Sequence, residues 1–204
     1  MFSLKNILKL LLPLLFVCAA SHAGTINDEF KRGLSAAKSG NFAEAVDIWK
    51  PLAKAGHSNA QYMLGYSYER GKGVKQDTDI AFVWYKLSAS SGNYKGQYAL
   101  ASLYAISELT NLDFEQAYAW AELSLKTKQT EGGQYLINTL QEKMSNKEIL
   151  NAKEMVKSCA DFSQKGCSLT IDVVEAKSNC KNLGFAINSE KYGNCMLKMM
   201  LEAR

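Results

Sequence analysis

The sequence predicts an all-α solenoid of stacked helix pairs, ending in a small helical hairpin stapled by a disulfide. Three observations carry the prediction. The chain repeats itself at an interval of 36 residues: Leu64 falls on Leu100, Tyr68 on Tyr104, Ala81 on Ala117, Trp84 on Trp120 and Gln61-Tyr62 on Gln97-Tyr98. A period of that length marks a solenoid or a propeller. Apolar residues inside each repeat recur at helical spacing, which excludes the propeller. Only Pro13 and Pro51 interrupt 204 residues, as a mostly helical chain requires.

The elements follow in order. Asp28 to Ser39 places Phe30, Leu34 and Ala37 on one helical face. Gly40-Asn41 separates it from a second helix, Phe42 to about Ala55, with Pro51 inside, where a kink is expected. Asn59 to Arg70 and Asp77 to Ser91 form the clearest pair, joined by Gly71-Lys72-Gly73-Val74. Glycines there admit a backbone with positive φ. Tyr94–Ala105 and Phe114–Lys126 form the next pair, whose linker Ile106-Ser107-Glu108-Leu109 lacks glycine. A third, partial copy spans Thr130 to Lys143, slipped by one residue, so that Gly133-Gln134-Tyr135 answers Gly96-Gln97-Tyr98. Ser145-Asn146-Lys147-Glu148 is a capping box opening another helix to about Lys157. Ile171–Leu183 and Ser189–Glu202 are the last two helices, with Gly184 stopping the first. Asn41, Asp77 and Asp113, spaced by 36, read as helix N-caps.

Residues 1–23 read as a secretory signal. Lys5 and Lys9 precede the short apolar run Leu10–Ala20, and Ser21-His22-Ala23 is a small-x-small site implying cleavage before Gly24. The run is too short for the roughly 20 residues of a spanning helix. Lipidation at Cys18 is the alternative, disfavoured by Val17 before it. Residues 24–158 then form the solenoid and 159–204 the cysteine-containing hairpin. Residues 1–23 carry two lysines and no acid, so the net charge falls from +4 to +2 without them. That balance, with no basic run interleaved with aromatics, excludes nucleic acid as a partner class. Localisation is expected to be periplasmic or secreted, with no stable membrane insertion after cleavage.

Cys159, Cys167, Cys180 and Cys195 all lie in the last quarter of the chain. An even number in an exported chain points to disulfides. The spacing has no C-x₂-C pair, which disfavours zinc, so no metal and no cofactor are expected.

One motif carries a family resemblance. Ala60-x₃-Leu64-Gly65-x₂-Tyr68-x₂-Gly71-x-Gly73-Val74-x₂-Asp77-x₃-Ala81-x₂-Trp84-Tyr85 resembles the Sel-one-like repeat, a relative of the tetratricopeptide repeat. The resemblance covers about Phe30 to Lys157, and Phe30–Leu64 resembles the first unit of secreted bacterial proteins of this type. It implies a right-handed superhelix of helix pairs whose concave face binds other proteins, as scaffold, adaptor or regulator. One cysteine-rich branch is linked to β-lactam binding and hydrolysis. That branch staples every repeat, whereas this chain has no cysteine from Gly24 to Ser158, so the activity does not carry over.

The C-terminal stretch Ala176–Lys198 resembles a tail of secreted proteobacterial proteins, Cys-x₃-Gly-Phe followed by aromatic-Gly-x-Cys. Two antiparallel helices reversing at Gly184 can bring Cys180 to Cys195, leaving Cys159 and Cys167 to each other, one of three possible pairings. So small a hairpin needs the staple or must dock on the last repeat.

Chemistry has few candidates. His57, the one histidine after residue 23, reads as an exposed turn residue between repeats and not as a base. No H-E-x-x-H, P-loop or G-x-S-x-G occurs, so no catalytic residue is assigned. The aromatics Tyr62, Tyr66, Tyr68, Trp84, Tyr85, Tyr98 and Tyr104 read as repeat core, with a sugar platform as the alternative. On a helical wheel Met63, Tyr66 and Arg70 lie opposite the Ala60–Leu64–Tyr68 arc, and Ser102 and Ile106 hold the same stripe in the next copy. These five are the expected partner-binding residues. The function expected is a protein-interaction module engaging another envelope protein. The alternative is a cell-wall enzyme or ligand-binding protein acting on peptidoglycan or β-lactams.

Overall fold

A computed structural model describes residues 26–106, 113–159, 171–184 and 190–202, and every regular element among them is a helix. The expected signal, residues 1–23, lies outside these, as do residues 107–112 of the second linker and Cys167. Among the described residues ten helices follow in order: α1 (26–38), α2 (Phe42–Lys54), α3 (Ser58–Arg70), α4 (Thr78–Ser90), α5 (Tyr94–Ile106), α6 (Phe114–Thr127), α7 (Glu131–Lys143), α8 (Asn146–Ser158), α9 (Ile171–Asn182) and α10 (Glu190–Glu202).

Local chemistry sets the boundaries. The Asp77 and Asp113 carboxylates accept from the N–H groups of Ile80 and Gln116 at 2.9 Å, and Thr130 caps α7 through Gly133. Ser145 and Glu148 close the capping box at α8, which holds the exposed Glu148 carboxyl below its ordinary range. Asn41 departs from expectation. It sits at the N-cap of α2, but its side chain makes no cap bond. Its backbone N–H instead closes the turn onto Ala36 O at 2.9 Å, with ψ at 62° and not the extended value found at Asp77 and Asp113. α2 runs through Pro51 and ends one turn later. Gly73 has φ +75°, and a Cβ there would stand 2.4 Å from Phe42 O, so this linker needs glycine for both conformation and space.

The helices lie in two layers. α3 touches α5 and α5 touches α7, while α2, α4 and α6 alternate with them as the second helices of the pairs. Small residues let the layers close. A Cβ on Gly33 would strike the Trp49 indole at 2.3 Å, and one on Gly65 the Tyr85 ring at 2.5 Å. Trp120 fills the core of α4–α8, together with Leu100, Ala117 and Leu140. Trp49 and Trp84 fill a second core with Val46, Leu64 and Val83. Truncating such a buried ring costs about 3–5 kcal/mol.

The hairpin supplies the other half of that second core. Cys180 and Cys195 are disulfide-bonded across α9 and α10, with Cα atoms 5.8 Å apart. Cys159 is also in a disulfide. Docking on the last repeat is not what the structure shows. α10 packs on α2 and α4, and α9 on α4, so the C-terminus returns to the first repeats. Ala176, Cys180, Tyr192, Met196 and Met200 are buried there beside Trp49 and Trp84. The cause is apolar matching: the second-layer surface of α4 carries Trp84 and Leu87, and α8 covers the corresponding surface of α6 but not that of α4.

Candidate functional site

α8 covers α6 and the hairpin covers α2 and α4, so among the described residues the layer left without such cover is α3–α5–α7. Three of the six exposed large apolar side chains among the described residues lie on it, Tyr98 at 38%, Ile106 at 74% and Tyr135 at 74%; the others are Ile26, Leu150 and Leu183. Tyr62, Tyr98 and Tyr135 each follow a glutamine early in their helix, so the repeat sets one tyrosine per helix into a column. A shallow groove of about 240 Å³ runs beside it, lined by Tyr62, Tyr94, Lys95, Tyr98, Thr130 and Gly132.

Cations and hydrogen bonds order these rings. The Lys95 ammonium lies 5.8 Å from the Tyr62 ring and 6.0 Å from that of Tyr94. Lys128 stands 4.9 Å over the Tyr94 ring and donates to its hydroxyl at 3.3 Å. Such contacts hold rings in place at a partly exposed surface for about 0.5–1 kcal/mol each. Burial pushes the Tyr62 hydroxyl up, and the nearby Tyr66, Glu69 and Tyr94 push it further. Tyr85 beneath is buried and donates to Glu69 Oε2 at 2.7 Å; desolvation and that bond raise its pKa far out of reach. Basic residues, Lys95 and Lys128, thus stand beside the tyrosines at this end of the layer.

The expected partner-binding residues divide. Arg70 is exposed at the end of α3, 3.6 Å from Glu69, and Ile106 is exposed at the end of α5. Ser102 is half-buried and donates to Tyr98 O in its own helix. Tyr66 is half-buried against the α4–α8 core, with the Lys72 ammonium 5.3 Å from its ring. Met63 does not stand free: it packs on the core shared with the hairpin. A single-helix wheel assigns α3 one buried face, but α3 is flanked by two cores. Tyr94, Tyr98 and Tyr135 also lie on this layer; the wheel does not select them, and Tyr98, which the sequence assigns to the repeat core, is 38% exposed.

His57 is not an exposed turn residue either. Its Nδ1 accepts from Ala60 N at 3.1 Å as the N-cap of α3, and its ring lies 4.9 Å from that of Phe30. Burial lowers its pKa. Among the described residues no three His, Cys, Asp or Glu side chains gather to hold a metal, and no helix is long and apolar enough to cross a membrane.

Comparison with known proteins agrees with this geometry. The family model of the Sel1 repeat matches residues 58–93, which contain α3 and α4, and 95–126, which contain most of α5 and α6. No curated protein and no solved structure matches the chain. Sel1 repeats mediate protein–protein interactions and are typically not catalytic. The helix pairs at residues 58–93 and 95–126, with their small-residue approaches and the buried Trp84 and Trp120, are thus two Sel1 repeats carried by this chain.

Proposed function

We propose that this chain is an exported, periplasmic or secreted protein-interaction module. It takes an envelope protein on the concave α3–α5–α7 face, over the tyrosine column and out to Arg70 and Ile106. The observation that carries the reading is the asymmetry of the two layers. α8 and the hairpin pack on the α2–α4–α6 layer, while Tyr98, Tyr135 and Ile106 are exposed on the other. In a curved stack the inner helices approach most closely, and α3, α5 and α7 touch in succession. Tyrosine and arginine are the side chains that most often dominate binding energy at interfaces. A formed Cys180–Cys195 bond fits a compartment outside the reducing cytosol, and the leader-like residues 1–23 support export.

The reading is of a binder and not an enzyme: His57 is spent as a helix cap. Affinity capture from an envelope extract, with wild type and a Tyr98→Ala/Tyr135→Ala variant side by side, tests it. The variant should lose the captured protein while keeping its helical circular dichroism. Turnover of nitrocefin or of muropeptides by the purified wild type would overturn the reading in favour of a cell-wall enzyme.

A further inference from the structure

The docked hairpin creates a second cavity, on the layer opposite the tyrosine column. It holds about 350 Å³, within the range of small-molecule sites. Its apolar surface includes Trp84 and Leu87 from α4 and Met196 from α10. Three lysines and no carboxylate line it. Two of the three, Lys177 and Lys181, come from α9 and stand exposed at its rim, without an acid partner among the described residues. Although exposed at the surface, Lys177 has its pKa lowered by desolvation, with no opposing charge to restore it.

We infer that the cleft between the hairpin and the α2–α4 layer binds a small amphipathic organic anion. Its carboxylate sits between Lys177 and Lys181, and its apolar body lies on Trp84, Leu87 and Met196. The cations give charge and the apolar wall gives affinity.

The test uses the oxidised, full-length folded protein and N-acetyl-L-phenylalanine, which carries a carboxylate and an apolar body, with its methyl ester as the uncharged control. Isothermal titration calorimetry should show the acid binding about tenfold or more tightly than the ester, the loss expected when a charge-assisted contact is removed. A Lys177→Gln/Lys181→Gln variant should lose about tenfold in affinity for the acid. Its melting temperature should be unchanged, since neither rim lysine has a structural partner. Tyr98→Ala, on the opposite layer, should leave binding of the acid intact, which separates this site from the partner face. Equal binding of acid and ester would overturn the inference, as would full affinity in the lysine variant or no heat at about 10 mM probe, the weak end of small-ligand binding.

Discussion

Replacing Gly65 by alanine should destabilise the protein, although alanine is the better helix former. The ideal Cβ at position 65 lies 2.5 Å from Tyr85 Cδ1 and 2.6 Å from Cε1, where ordinary contact begins at 3.4 Å. The ring must therefore retreat by about 1 Å in a close-packed interior. It has little room to do so: Tyr85 is 1% exposed and its hydroxyl is held by Glu69 at 2.7 Å. Overpacking of this kind costs about 1–3 kcal/mol. The helix-propensity gain of about 1 kcal/mol offsets part of it, leaving a net loss of up to about 2 kcal/mol. For a chain of this size each kcal/mol is roughly 2–4 °C in melting temperature. Gly132→Ala is the control. Its Cβ would meet only the end of the Tyr98 side chain, with Oη nearest at 3.3 Å and free to move, so it should stabilise by about 0.5–1 kcal/mol. Urea unfolding followed by circular dichroism measures both. In a Tyr85→Leu background the cost of Gly65→Ala should vanish. Stability of Gly65→Ala at or above wild type, or an undiminished cost in the Tyr85→Leu background, would refute the reasoning.

Other outcomes follow from the same structure. Cys195→Ser opens a 15-residue loop and should cost about 3 kcal/mol on the chain-entropy model. Hydrogen exchange should rise in α9, α10 and the facing surfaces of α2 and α4, with α5–α8 protected. The folded pKa of His57 is depressed, so its contribution to stability is full above about pH 6.5 and declines as pH falls through that value toward the folded pKa. His57→Asn, which can still cap, should flatten the stability profile measured from about pH 7 to 5; an unchanged profile would mean another group titrates there. Trp120→Ala, at a fully buried site, should lose about 3–5 kcal/mol, whereas Arg70→Ala should change melting little, as thermal unfolding will report.

The fold was legible because its signals are local and repeated. Asp77, Asp113 and Ser145 mark helix starts through bonds within four residues, and the 36-residue interval placed α3–α6 to within a residue or two. The Cys180–Cys195 bond was legible for the same reason, since Gly184 reverses the chain between them at φ +83°. The docking of the hairpin was not. Met196 and Met200 announce that α10 needs cover, but nothing local says that Trp49 and Trp84 provide it. Exposure along the wheel's stripe was half legible. Arg70 and Ile106 are exposed as the wheel places them, whereas Met63 packs on a core because α3 borders two of them. Tyr98 and Tyr135 were hidden in plain repetition: a residue that recurs at each repeat can build the core or a surface column, and only the packing of neighbours decides.

The most direct test of the account places a photo-crosslinking amino acid at three exposed positions in producing cells: Tyr98 on α5, Tyr135 on α7 and Leu150 on α8. The account predicts that positions 98 and 135 trap the same discrete protein and that position 150 traps none. It also predicts that Ile106→Asp abolishes both adducts without unfolding the chain. An adduct from position 150 alone, or none from 98 and 135, would contradict the assignment of the α3–α5–α7 face as the binding surface.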